Sequence, residues 1–169
     1  MDIHVPVVDG HLPDQYTKHC DPKLKYNGAP FVSFPISISN VPSGAKTLAI
    51  EFLDYDAVPV SGFTWIHWLA ANIPADITEI PENASREHSF SMLQGNNSTA
   101  GGMIHETDPL TTRHYYGPTP PNADHNYLLT VYALDDMLPL ENGYWLNEFY
   151  VAIQDHILER TLVPLLVKK

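Results

Sequence analysis

Three short clusters set proton-carrying side chains into otherwise apolar stretches of this chain. The first is Asp54-Tyr55-Asp56-Ala57-Val58-Pro59, directly after an apolar run. In extended backbone, residues two apart share a face, so Asp54 and Asp56 can aim at one point. The second is the pair His67-Trp68, inside the run Trp65 to Ile73. The third is Tyr116-Gly117-Pro118-Thr119-Pro120-Pro121, stiffened by its prolines, which leads into His125-Asn126-Tyr127. There His125 and Tyr127 again share a face. Two carboxylates and two imidazoles are chemically able to do three things: shuttle protons as an acid–base pair, ligate zinc or manganese, or bind a small polar ligand.

The elements that must position these clusters read as strands and turns. Fifteen prolines and nine glycines cut the chain into short apolar segments. Phe34, Ile36 and Ile38 alternate with Ser33, Ser37 and Ser39, and Pro35 within that run predicts a sheet edge or a bulge. Thr47 to Leu53 predicts a strand with Leu48, Ile50 and Phe52 on one face and Ala49, Glu51 and Leu53 on the other. Trp65 to Ile73 is apolar almost throughout, which predicts burial on both faces and a central place in the sheet. Tyr127 to Leu134 predicts another strand. Between them, residues 79–103 turn polar and small, ending in Gln94 to Gly102, and read as a long surface loop. Leu146, Phe149, Tyr150, Ile153 and Ile157 recur at helical spacing and predict about three turns beginning near Asn142 or Gly143. Ile157 to Val167 is ambiguous between strand and helix, with Pro164 limiting the latter.

Composition bounds what the clusters can serve. A chain of 169 residues, 44% hydrophobic and 17% charged, fits one globular domain, 1–169, with a sizeable core. Its 9 basic and 20 acidic side chains give a net charge of −11, a field that repels nucleic acid and anionic membrane surfaces. Any bound anion is therefore held by a local site against the global field. The single cysteine, Cys20, excludes an intramolecular disulfide and a multi-thiolate metal site. With no basic-then-apolar leader pattern and no run of membrane-spanning length, the expected location is the cytoplasm, without stable membrane association.

The three clusters, in this order, resemble the hallmarks of the phosphatidylethanolamine-binding protein family in its bacterial branch. Those are an Asp-Pro-Asp-Ala-Pro segment, a His-Trp pair some ten residues on, and a Gly-Pro-x-Pro-Pro loop leading into His-Arg-Tyr and an apolar strand. The similarity runs from Asn27-Gly28 through Val41-Pro42-Ser43-Gly44 to Tyr132-Ala133-Leu134, and more weakly to the last helix. Two departures bear on chemistry: Tyr55 and Val58 shift the first cluster's prolines, and Asn126 stands where the family has arginine, removing a fixed cation. The resemblance implies a mainly β, antiparallel Greek-key sandwich with a short helix near the C-terminus. It also implies a ligand pocket formed by Asp54, Asp56, His67, Gly117, Thr119, Pro121, His125 and Tyr127. In such a pocket the imidazoles and the N–H groups of Gly117 and Thr119 would donate to phosphate, carboxylate or a phosphorylated headgroup, with no cofactor. The other histidines, His4, His11, His19, His88, His105, His114 and His156, read as surface residues, His156 being where the family often has one.

Non-enzymatic binding is thus the leading expectation, extending through the family to kinase-inhibitor-like or regulatory roles, with a homodimer expected of the bacterial branch. A small hydrolase with His67 or His125 as base and Asp54 as its orienter is the alternative, set back by the lack of a nucleophile elbow around Ser43 or Ser61 and of a phosphate-binding loop with lysine. A metal site at Asp54, Asp56, His67 and His125 is the third reading.

Overall fold

The computed structural model describes residues 1–87 and 89–169. His88 lies outside the described residues. Among the described residues there are ten strands: β1 (Asp2–His4), β2 (Lys25–Tyr26), β3 (Ala29–Pro30), β4 (Ile36–Ser39), β5 (Thr47–Asp54), β6 (Trp65–Pro74), β7 (Glu79–Ile80), β8 (Leu93–Gln94), β9 (His125–Leu134) and β10 (Ile157–Val167). Four short helices join them: α1 (Val58–Ser61), α2 (Ala84–Glu87), α3 (Pro109–Thr112) and α4 (Leu146–Ile153). The large sheet runs β10-β9-β5-β6-β8 and the small one β1-β4-β7, with every pair antiparallel. After the β5–β6 hairpin and β8, the chain returns to lay β9 on the other side of β5, a long return connection of Greek-key type.

One apolar cluster fills the space between the sheets, joining Ile36 and Ile38 of β4 to Leu48, Ile50 and Phe52 of β5 and Leu129 and Val131 of β9. A second lies on the outer face of the large sheet, where Phe149 and Ile153 of α4 cover Ala49, Leu69, Tyr132 and Leu134. The expected sandwich with a C-terminal helix is the observed fold. All eight residues of β5 are buried, because it sits in mid-sheet with a core on each side. Glu51 is the polar member of that strand, and its two carboxylate oxygens accept from Tyr132 and Tyr150 hydroxyls at 2.9 and 2.7 Å.

Four expectations need correction. The centre of the sheet is β5 rather than β6, whose far side pairs with β8 only at Ala70 and Ala71. The polar stretch at 94–99 is buried, because its side chains take over the backbone's hydrogen-bonding work. Asn97 Nδ2 donates to the Thr111 and His114 carbonyls at 2.7 and 2.9 Å, and Ser98 Oγ accepts from the Ile66 N–H at 2.8 Å. Helix α4 starts at Leu146 and has two turns; Glu148 accepts from the Trp145 N–H and fixes that start, and Ile157 already belongs to β10. Finally, His114 is half-buried in a network with Ser85 and Gln94, its Nδ1 lying 2.5 Å from the Ser85 carbonyl oxygen, so it is no simple surface histidine.

Candidate functional site

The pairing of strand ends brings the clusters together. Asp54, the last residue of β5, lies opposite Trp65 of β6 on one side and Tyr127 of β9 on the other. Beyond that point β5 leaves the sheet, and His125, two residues earlier on β9, faces the gap. The β5–β6 ladder carries an irregularity at the same place: Phe52 pairs with Trp68 and Leu53 with Ile66, so His67 is an extra residue with no partner opposite. A bulge of this kind re-aims a side chain, and here it turns an imidazole toward the end of β5. The backbone then enters α1, whose first turn is held by the Ala57 N–H donating to Asp54 Oδ1 at 3.2 Å.

A cavity of about 220 Å³ opens at this junction, lined by Asp54, Ala57, Val60, Ser61, Trp65, His67, Tyr116, Thr119, Pro121, His125 and Tyr127. That is below the ~300–1,000 Å³ of sites for drug-sized molecules, so it suits a small ligand or the small end of a larger one. Its rim, residues 116–121, is locked from behind. The Tyr116 N–H donates to the His67 carbonyl, the Gly117 N–H to the Pro30 carbonyl, and Lys18 to the Pro118 and Pro120 carbonyls through its N–H and Nζ. Gly117 is required there, since a Cβ would stand 2.4 Å from Pro30 Cβ.

Within the cavity Asp54, His67, His125 and Tyr127 each have a defined partner. His125 Nδ1 donates to Asp54 Oδ2 at 2.8 Å, and both side chains are almost fully buried. His125 Nε2 is 2.8 Å from Asn122 Oδ1. Asp54 also takes a hydrogen bond from Tyr127, whose hydroxyl is pushed well up by burial and then by that carboxylate. His67 Nδ1 donates to the Tyr116 carbonyl oxygen at 2.6 Å. Burial holds His67 down at about 4, outweighing the opposing pull of that hydrogen bond and of Asp54, with His125 adding to the depression. Burial likewise raises the Tyr116 hydroxyl. The rings pack around the pocket, His67 standing edge-on to Tyr127 at 5.0 Å and Trp65 stacked on Phe63 at 5.8 Å.

Six of the eight expected residues line the cavity: Asp54, His67, Thr119, Pro121, His125 and Tyr127. Asp56 does not. The chain turns after Asp54, ending the extended geometry that would have put both carboxylates on one face, and Asp56 accepts from the Asn126 N–H at 2.8 Å on the exposed side. Gly117 does not either, because its N–H is spent on Pro30 rather than free for a ligand. The four-residue metal cluster is therefore not assembled, and among the described residues no group of three or more His, Cys, Asp or Glu side chains is placed to hold a metal ion. His156 lies away from the cavity, bonded to Asp135 at 2.8 Å. The five lining residues that sequence reasoning missed are Ala57, Val60, Ser61, Trp65 and Tyr116. Trp65 was findable, being two positions before His67, and Tyr116 directly precedes the loop glycine. Nothing in the sequence singles out Val60 or Ser61.

The cavity's spare hydrogen-bonding capacity is neutral. No Lys or Arg lines it. The Trp65 Nε1–H is buried without a partner, and no hydrogen bond among the described residues uses the hydroxyls of Tyr116 or Thr119.

Comparison with known proteins places this arrangement. A protein of Bacillus subtilis, the uncharacterized YxkA, is 52% identical over 168 residues, covering 99% of both chains. The crystal structure of CT736 from Chlamydia trachomatis superposes with a TM-score of 0.74 at 27% identity, over 94% of this chain and 90% of that one. The crystal structure of Escherichia coli YbcL, described as a member of the mammalian PEBP family, gives a TM-score of 0.76 at 20% identity over 99% and 97%, a likeness of fold alone. The sequence model described as phosphatidylethanolamine-binding protein matches residues 4–167, which spans both sheets and every wall of the cavity. By that match and the strand-end site it encloses, the chain belongs to the phosphatidylethanolamine-binding protein family.

Proposed function

We propose that this chain is a non-catalytic binding protein whose cavity receives a small oxyanion, a phosphate or carboxylate, free or at the end of a phosphorylated headgroup. The observation that carries the reading is the pair of unclaimed neutral hydroxyls, those of Tyr116 and Thr119, on the wall beside a buried imidazole. Neutral donors suit an anion in a cavity that no Lys or Arg lines, in a chain of net charge −11 with Asn126 in place of an arginine. Asp54 is an anchor rather than a ligand contact, since it already accepts from His125, Tyr127 and the Ala57 N–H.

The arrangement of hydroxyls favours binding over hydrolysis. A nucleophile must be hydrogen-bonded to its base, but the single hydrogen of Ser61 Oγ, the cavity's serine, is directed to backbone carbonyls, that of Phe63 at 2.8 Å with that of Ala57 at 3.1 Å. His125 has both ring nitrogens engaged, by Asp54 and Asn122.

Thermal unfolding with inorganic phosphate, phosphoethanolamine and acetate tests the reading. A ligand at a hundred times its Kd stabilises by about 2.7 kcal/mol, a rise of several degrees in Tm. Tyr116→Phe, which deletes one donor and leaves the packing, is expected to reduce the rise, and His125→Ala to abolish it. The absence of any rise with all three anions contradicts the proposal.

A further inference from the structure

The His67 ring sets which protonation form of an anion the cavity accepts. A carbonyl oxygen can only accept, so the Tyr116 oxygen 2.6 Å from Nδ1 requires that Nδ1 carry the hydrogen. Nε2 of the neutral ring is then a bare lone pair. No donor among the described residues reaches it, and it is not one of the buried polar side-chain atoms sealed away without a partner. The cavity that His67 lines is what Nε2 meets.

The groups around this ring come from every neighbouring element. Asp54 of β5 favours a charged imidazole, and His125 of β9 opposes it. Tyr127 of β9, Trp65 of β6, Tyr116 of the rim and Phe52 of β5 surround it with rings, 5.0 to 6.5 Å away between centroids. Farther out, Glu106 acts on Tyr116 and Asp56 on Tyr127, both in the sense that opposes added negative charge. Burial dominates, and the ring stays neutral down to about pH 4.

A fully ionised oxyanion brings only lone pairs, and one of them would face the lone pair on Nε2. An oxyanion that keeps one hydrogen gives it to Nε2 and still offers its other oxygens to the hydroxyls of Tyr116 and Thr119. We infer that the cavity selects an oxyanion in its hydrogen-bearing form, the monoanion of inorganic phosphate or of a phosphomonoester, over the phosphate dianion, sulfate or an ionised carboxylate. This rests on the anion-binding reading above and narrows its ligand class. It also accounts for a site without Lys or Arg, since a monoanion brings half the charge of the dianion into a buried place in an acidic protein.

Phosphorus-31 NMR of methyl phosphate with the intact chain, from pH 5 to 8.5, tests the inference, with sulfate run in parallel by calorimetry. Because the second ionisation of a phosphomonoester lies near pH 6, the apparent affinity is expected to fall roughly fifty-fold between pH 6 and pH 8. The bound phosphorus should titrate at higher pH than the free ligand. Sulfate, a dianion throughout, should bind at least about tenfold more weakly than methyl phosphate at pH 6, a gap of roughly one hydrogen bond. His67→Gln, which offers an amide N–H near the place of Nε2, should narrow that gap. Bound methyl phosphate titrating below the free ligand, or sulfate matching it at pH 6, overturns the selectivity while leaving anion binding standing. No binding of methyl phosphate at any pH removes both.

Discussion

At the residue scale, two histidines of the same pocket have opposite surroundings. His125 is tied to a buried carboxylate, whereas His67 is tied to a carbonyl and kept neutral by burial. Removing the charge of the first pair with Asp54→Asn leaves His125, Tyr127 and the Ala57 N–H around a neutral amide. Breaking a buried pair costs about 3–5 kcal/mol, so the urea midpoint should fall markedly. For His67, folding lowers the proton affinity from 6.5 to about 4. The unfolded chain therefore binds more protons between those values, and stability is complete above about pH 6.5 and lost as the pH falls toward 4. The loss is on the order of 3 kcal/mol, and urea titrations at pH 7 and pH 4 should show wild type losing that much more than His67→Gln. Both histidines were legible as site residues from their types and order. Their different roles were not, because they depend on a bulge at His67 and on which backbone oxygen meets Nδ1.

At the element scale, the site exists because β5 ends at Asp54, opposite the first residue of β6, while β9 extends two residues beyond that point to His125. The rim loop closes the gap, and Gly117 lets it lie against β3. Gly117→Ala puts a methyl into Pro30 and the Tyr16 carbonyl, so it should cost about 1–3 kcal/mol and weaken the phosphate-induced rise in Tm by displacing Tyr116. On the other face, α4 is fastened by Tyr150 to the buried Glu51, which Tyr132 also serves. Tyr150→Phe and Tyr132→Phe should each destabilise by about 1.5–3 kcal/mol, as hydrogen bonds to a charged group, with the double variant worse than the sum because Glu51 is then left bare. The strands were readable from period-two alternation. The buried polar segment at 94–99 was not, since its side chains satisfy backbone groups brought near only by the fold, such as the Thr111 and His114 carbonyls. Asp56 misled for a related reason: the face-sharing rule holds only while the backbone stays extended, and it turns at Tyr55.

At the scale of the whole molecule, an acidic chain holds a pocket that no Lys or Arg lines. No helix among the described residues is long and apolar enough to cross a membrane. The net charge of −11 repels an incoming anion, and salt screens that repulsion over about 10 Å at 0.1 M. Raising ionic strength with an inert salt should therefore leave phosphate affinity unchanged or raise it by roughly two-fold, the reverse of a lysine- or arginine-built site; calorimetry at two salt concentrations reads the sign. The most direct measurement of the central claim is nitrogen-15 NMR of the histidine side chains during a titration with inorganic phosphate at pH 6. The account predicts saturable shifts at His67 and His125, with Nε2 of His67 moving as a lone pair that accepts a hydrogen. Shifts confined to histidines outside the cavity, or none at saturating phosphate, would contradict it.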